Sequence, residues 1–64
     1  MTYDLHFETA DGVRVEPHQA EHISAVYDHC EARLAAEPTV NRIHLHLGDR
    51  RLHTVIRRDG ARAR

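Results

Sequence analysis

The first part of the chain alternates between apolar and polar side chains and predicts a β-hairpin. Tyr3, Leu5 and Phe7 are separated by single polar residues, which is the period of a half-buried strand. A three-residue loop over 10–12, which contains a glycine, places Phe7 opposite Val15. In this register the apolar side chains of both strands share one face, and the valines of the second strand point into the core.

A helix is predicted between the two hairpins, over residues 18–36. Pro17 stands at its start, where the missing N–H of a proline costs no hydrogen bond, and Pro38 ends it. Apolar side chains recur along this segment with the 3.6-residue period of a helix that buries one side. The residues with this period are Ile23, Tyr27, Cys30 and Leu34.

The segment after the helix predicts a second hairpin. Apolar residues alternate with arginine and histidine on both sides of a two-residue turn that begins at Gly48. This turn sets a register in which Leu45 lies opposite Leu52 and His44 lies opposite His53.

These elements predict an α+β domain in the order β-β-α-β-β. We expect a four-stranded mixed sheet of order 2-1-4-3, with the first and last strands parallel at its centre and one helix packed on one face. The layout resembles the β-grasp arrangement of ubiquitin-like and immunoglobulin-binding bacterial domains. It leaves the strands at 13–16 and 42–47 at the edges. The domain is expected to cover 1–58, followed by a flexible arginine-containing tail over 59–64.

Length and composition exclude several classes of protein. The 64 residues are 41% hydrophobic and 30% charged, which indicates one small globular domain and not a disordered chain. No run of roughly 18 apolar residues is present, and the first residues lack the pattern of a secretory signal. Cys30 is the single cysteine, so no disulfide forms within the chain, and we expect a cytoplasmic location.

The net charge of −1 conceals an uneven distribution of charge along the chain. Residues 1–41 carry two arginines against eight acids, and residues 42–64 carry seven arginines against two acids. All nine basic residues are arginine, and seven further residues are histidine. This split indicates an oriented molecule or an anionic partner for the C-terminal part.

One helix covers only one face of a sheet, so the other face is expected to carry the polar side chains of all four strands. That face mixes arginine, histidine and acids, which suits recognition of a protein better than recognition of phosphate. We therefore expect a small non-enzymatic binding or regulatory module that acts through a protein partner or as a homo-oligomer, since so small a core favours association. The residues expected to contact the partner are His6, Arg42, His44, His46, Arg51, His53 and Arg57.

Nucleic-acid binding is the alternative, because arginine binds phosphate groups with two hydrogen bonds. From Val13 to Leu47 the chain also resembles ribosome-hibernation factors. It shares their Val-x-Pro entry at 15–17, the spacing of the amphipathic helix and the alternating strand that follows, but its helix is acidic. The resemblance implies binding to RNA or to the small ribosomal subunit. The arginines expected to take part are Arg50, Arg51, Arg57, Arg58, Arg62 and Arg64.

Metal binding is the second alternative, and no other cofactor is expected. Three imidazoles close together suit zinc, copper or nickel. One candidate group comes from the strands and the other from the predicted helix. The first group is His6, His44 and His53, and the second is His18, His22 and His29.

The chain is expected not to be an enzyme. Residues 18–22 match the H-x-x-E-H signature of zinc peptidases, but a chain of this length leaves no room for a further ligand or a cleft. Cys30 lies on the apolar side of the predicted helix, between Asp28 and Glu31 in sequence. An activated thiol needs an exposed and electropositive setting, so Cys30 is expected to be a core residue.

Overall fold

The computed structural model describes residues 1–57, which form one sheet of four strands and one helix packed on it. The predicted α+β class and the order of the elements are therefore confirmed. The predicted tail over 59–64, together with Arg58, lies outside the described residues. The elements are β1 (Thr2–Thr9), β2 (Gly12–Gln19), α1 (Ile23–Ala36), β3 (Val40–Leu47) and β4 (Arg50–Ile56).

The strand order is β2-β1-β3-β4 and every neighbouring pair is antiparallel, so the predicted mixed sheet of order 2-1-4-3 is wrong. The β-grasp arrangement is accordingly not confirmed. The predicted and the observed strand orders require the same direction for each strand, so the burial of the strands decides between them. Val40, Ile43 and Leu45 of β3 are almost fully buried, whereas β4 contributes only Val55 to the buried core. The more apolar strand takes the central place, and 42–47 is not an edge.

The first hairpin has a two-residue turn instead of the predicted three-residue loop. Thr9 lies opposite Gly12 across the hairpin. The Thr9 hydroxyl accepts a hydrogen bond from the Asp11 N–H at 3.2 Å and donates one to the Gly12 carbonyl at 3.1 Å. This local pairing shortens the turn and shifts the register by one residue. Val13 and Val15 consequently point away from the helix, and the prediction that they face the core is wrong.

The helix lies over β3 and β4, which explains why β2 tolerates this register. The inward positions of β2 lie beside the helix and carry Arg14 and Glu16. The guanidinium groups of Arg14 and Arg33 lie 5.0 and 4.6 Å from the centre of the Phe7 ring. Arg33 also forms ion pairs with Glu16 and Glu37. Long charged side chains therefore cover the part of the core that the helix leaves exposed.

The helix begins at Ile23 and not at 18, because Pro17 belongs to β2. An edge strand tolerates proline, since an N–H on its outer side would have no partner in the sheet. Residues 18–22 therefore form the end of β2 and the turn before α1, and the H-x-x-E-H signature is not on a helix. The end of the helix at 36 agrees with the prediction, two residues before Pro38.

The second hairpin begins as predicted, with Gly48 at a φ of +63° in a two-residue turn. A β-bulge then shifts the register by one residue, so that Leu45 lies opposite His53 and not Leu52. Val55 as a result faces the helix and is 9% exposed. The predicted pairing of His53 with another histidine across the hairpin is therefore wrong.

A compact core holds the helix to the sheet. It contains side chains from β1, β3, β4 and α1, and none from β2. Every buried polar side-chain atom of the described residues has a hydrogen-bond partner. Within residues 1–57 no helix has the length and apolar character that a membrane crossing requires. The core residues are Tyr3, Leu5, Phe7, Val26, Cys30, Leu34, Val40, Ile43, Leu45 and Val55.

Candidate functional site

The candidate site is the face of the sheet that the helix does not cover, which we call the open face. Residues opposite each other on neighbouring strands share a face, so the strand registers define it directly. Its principal residues are Asp4, His6, Glu8, Val13, Val15, Pro17, Arg42, His44, His46, Arg51, Thr54 and Ile56.

The open face is apolar along its β2 edge, carries one exposed apolar side chain on β4, and is polar at its centre. On β2, Val13 and Val15 are 59% and 52% exposed, and on β4 Ile56 is 65% exposed. These are three of the four large hydrophobic side chains that are exposed among residues 1–57. Between them, β1 and β3 contribute half-buried acids and histidines. Three exposed apolar side chains therefore lie on the two outer strands of one face.

A hydrogen-bonded chain orders the centre of the open face. Nε2 of His44 lies 2.8 Å from Oε1 of Glu8, and Nδ1 lies 2.8 Å from Oγ1 of Thr54. A carboxylate only accepts, so Nε2 donates to Glu8, and in the neutral ring Nδ1 accepts from the Thr54 hydroxyl. Nε of Arg42 lies 3.8 Å from the same Glu8 oxygen. The bond from His44 is the main cause that holds the pKa of Glu8 below its usual value of 4.5.

A second contact at the centre joins two histidines of adjacent strands. The rings of His6 and His46 are stacked, with centroids 3.9 Å apart and planes inclined by 20°. Burial, and then the neighbouring His6, lower the pKa of His46 below its usual value of 6.5. The stacked contact therefore favours the neutral form of His46.

The structure places most of the predicted partner-binding residues together. His6, Arg42, His44, His46 and Arg51 all lie on the open face, as predicted.

Two members of the predicted set do not lie on the open face. His53 faces the helix, where its ring meets the edge of Tyr27 with centroids 5.3 Å apart. The guanidinium of Arg57 donates hydrogen bonds to the backbone carbonyls of Leu34, Glu37 and Val40. The bulge places His53 on the helix side of the sheet, where it stays exposed, and Arg57 follows β4, where it reaches the end of the helix.

The two predicted metal-binding groups do not form. His53 lies on the opposite side of the sheet from His6 and His44. In the other group, the rings of His18 and His29 are stacked with centroids 4.0 Å apart, whereas His22 is the exposed N-cap of the helix. Within the described part of the chain, no three histidine, cysteine or acidic side chains are arranged to hold a metal ion.

The order Thr54–His44–Glu8 matches the nucleophile, base and acid of a hydrolase relay. The surroundings differ from such a site. These side chains stand on a sheet face, where the backbone N–H groups point along the sheet toward neighbouring strands and cannot form an oxyanion hole above it. The two hydrogen bonds instead fix the orientation of these three side chains at the centre of the open face.

The arginines proposed for nucleic-acid binding are divided by the structure. Arg50 and Arg51 are exposed on β4. The guanidinium of Arg57 donates its hydrogen bonds to backbone carbonyls of the same chain. Arg58, Arg62 and Arg64 lie outside the described residues.

Sequence reasoning missed the apolar edges of the open face. It assigned Val13, Val15 and Ile56 to the apolar face under the helix, because both predicted hairpin registers differ by one residue from the observed ones. One signal for the first shift was present in the sequence. Thr9 stands two residues before Asp11, at a spacing where a threonine hydroxyl closes a short turn. The bulge in the second hairpin has no comparable signal.

The fold and the site together define a small α+β protein with one helix, an antiparallel sheet and an exposed mixed face. Comparison of the chain with protein-family models, with curated proteins and with solved structures gave no match. Any functional conclusion therefore depends on the geometry of the open face.

Proposed function

We propose that this protein is a small, non-enzymatic binding module that acts through protein contacts made by its open face. The observation that carries the proposal is the combination of exposed Val13, Val15 and Ile56 with an ordered polar centre. Protein interfaces combine apolar contact with fixed polar groups that select the partner. A cytoplasmic location is part of the proposal, because the single cysteine is a buried free thiol.

The ion pairs of the molecule give further support to a protein partner. On the helix side of the sheet, Arg14 and Arg33 are paired with Glu16 and Glu37. These arginines are neutralised by their own chain, which leaves little basic surface there for a nucleic acid. The open face keeps both signs of charge side by side, and this pattern favours a protein partner over a phosphate backbone.

Photo-crosslinking in cells that express the protein tests the proposal. A photoreactive phenylalanine analogue replaces Val15 on the open face, and the matched control carries it at Ala32, which is exposed on the helix. We expect a defined protein adduct at position 15, identified by mass spectrometry, and none at position 32. The adduct should decrease when Glu8→Arg is added, because this change alters the charge of the same face.

Other outcomes contradict the proposal. Adducts of equal yield at both positions would mean that the open face is not a specific contact surface. An adduct with RNA alone at position 15 would replace the proposal by nucleic-acid binding. Absence of any adduct at position 15 would also overturn it.

A further inference from the structure

The open face has a regular layout of three rows across four strands. One row runs from Val13 through Glu8 and Arg42 to Ile56, as the strand registers show. The chemistry changes from column to column: β2 is apolar, β1 carries two acids and a histidine, and β3 carries an arginine and two histidines. The other two rows are Val15, His6, His44, Thr54 and Pro17, Asp4, His46, Arg51.

Acidic and basic columns therefore stand side by side on either side of the centre of the sheet. Two copies can place their open faces together around a two-fold axis that lies between the sheets. If this axis runs along the strands, midway between β1 and β3, then β1 of one copy lies over β3 of the second. Glu8 then meets Arg42 of the second copy, and Asp4 meets His46.

We propose that the occupant of the open face is a second copy of this chain, packed face to face around a two-fold axis along the strands. This inference rests on the proposed function, and it names the partner. Within each copy Glu8 and Arg42 are already neighbours, with 3.8 Å between Nε and Oε1. In the pair they form a cluster of four charges in which the signs alternate, so that each charge has opposite neighbours.

The apolar edges agree with the same axis. With β2 over β4 of the second copy, Val13 meets Ile56, and these two side chains are 59% and 65% exposed in the single chain. Val15 meets Thr54, whose methyl group is apolar. Pro17 meets Arg51 in the third row, so each edge of the paired sheets is apolar over two of its three contacts, and the two-fold axis generates these contacts twice.

The other face-to-face arrangement brings like charges together. With the two-fold axis across the strands, β1 lies over β1 of the second copy with its direction reversed. Glu8 then meets Asp4, and Arg42 meets His46. Acid facing acid and base facing base costs free energy at an interface. Charge complementarity therefore selects the axis along the strands.

The area of the open face is sufficient for a reversible dimer. Four strands of seven or eight residues, about 4.8 Å apart and with about 3.3 Å per residue, span about 19 by 25 Å. Two such faces bury about 1,000 Å² before the relief of the side chains is counted, which is close to the lower limit for specific interfaces. We expect a dissociation constant in the micromolar range.

Association should weaken in acid, because histidines occupy the centre of the pair. His46 is faced by His6 and Asp4 from β1 and by Arg51 from β4, with His44 beside it on its own strand. In the pair, six imidazoles from two copies are brought close together and lose contact with water. Protonation of His46 in each copy adds positive charge beside Arg51 and the other imidazoles, so the dimer should dissociate as His46 becomes charged.

Charge exchange between two variants tests the proposal. Glu8→Arg places arginine against arginine in the pair, and Arg42→Glu places acid against acid, so each variant alone should self-associate more weakly than the wild type. When they are mixed, the arginine introduced at position 8 meets the glutamate introduced at position 42 of the other variant. Native Arg42 of the first variant then meets native Glu8 of the second, so a heterodimer should form. Sedimentation velocity measures association, and native mass spectrometry identifies the heterodimer by mass.

Two control variants make the same charge changes outside the open face. Glu21→Arg and Arg50→Glu should associate like the wild type. We expect each single open-face variant to weaken self-association at least about tenfold, and the mixture to return to within about threefold of the wild type. Thermal unfolding of each variant checks that it is folded. We expect the open-face variants to fold, because Glu8 and Arg42 lie at the surface.

Three results would overturn the second-copy proposal. These are a wild-type protein that stays monomeric at high micromolar concentration, a mixture that does not associate, and a Glu8→Arg variant that associates more tightly alone. The last result would indicate the axis across the strands, since the introduced arginine would then meet Asp4 of the second copy. If the chain is monomeric but position 15 still crosslinks to a different protein, only the identity of the partner is wrong. If neither occurs, the proposed function also fails.

Discussion

The two faces of the sheet use the same strands for different purposes. On the face under the helix, Leu5, Phe7, Ile43 and Leu45 are fully buried and hold the fold together. On the open face, the alternating positions of the same strands carry charged and histidine side chains that contact one another. Each strand of a sheet has two independent faces, so one segment of sequence encodes both a core and an exposed polar face.

The two faces also differ in the partners of their charged side chains. On the helix side, Arg33 lies between Glu16 and Glu37, and the bonds to these carboxylates raise its pKa further above the usual value. On the open face, Glu8 and Arg42 remain 3.8 Å apart and half exposed to solvent. The first set of charges is satisfied within the chain, while the second can take further partners.

The largest effect is expected from removing a side chain on the covered face. Leu45→Ala should lower the free energy of unfolding by about 3 kcal/mol, because it leaves a cavity under the helix. The matched change on the open face, Val15→Ala, should cost less than about 0.5 kcal/mol in a dilute sample. Urea denaturation measures both values. Similar losses at the two positions would contradict the division between the faces.

A smaller effect is expected at the end of the helix. Arg57→Ala removes the donors to the carbonyls of Leu34, Glu37 and Val40 and should lower the free energy of unfolding by about 1 to 2 kcal/mol. Arg50→Ala, also on β4 but exposed, is the control and should change stability little. If Arg57→Ala leaves stability unchanged but abolishes binding of RNA, then Arg57 belongs to a nucleic-acid site as first predicted.

The smallest effect is expected from the pH dependence of stability. Burial, and then His18 and Arg33, lower the pKa of His29 below 6.5, while Glu16 opposes this change. The unfolded chain therefore takes up a proton at higher pH than the folded chain. Stability from this group is level above about pH 6.5 and falls as the pH decreases below it.

Urea denaturation of a dilute sample between neutral and mildly acidic pH measures this effect. His29→Gln should make the dependence on pH shallower than in the wild type. Asp28→Asn, the neighbouring exposed position, controls for substitution in this part of the helix. An unchanged slope in His29→Gln would contradict this assignment. A separate loss is expected below pH 4.5, where Glu16 and Glu37, whose pKa values are lowered mainly by Arg33, become protonated.

Local patterns predicted the elements of the fold but not their arrangement. The alternation at Tyr3, Leu5 and Phe7 and the glycine at position 48 correctly indicated strands and a two-residue turn. The strand order depended on whether β3 or β4 lies beside β1, and the chain directions allow both. The strand order is decided by the total apolar surface that the packed structure buries. The hydrophobic pattern of one segment does not contain that total.

The candidate site was predicted in part, for a related reason. Histidines 6, 44 and 46 alternate with core residues of the central strands, so their face follows from the period of a strand. Residues near the ends of the hairpins depend on turn length and on bulges, and one extra residue moves a side chain to the other face. Val15 and His53 were misplaced for this reason.

In the proposed dimer the open face binds a second copy of the chain with β1 over β3. Isotope-filtered nuclear Overhauser spectroscopy on a mixture of labelled and unlabelled protein detects this arrangement. We expect contacts between the methyl groups of Val13 in one copy and Ile56 in the other, and none between helices. Contacts between Val13 and Pro17 of different copies, contacts between helices, or no intermolecular contacts at millimolar concentration would contradict it.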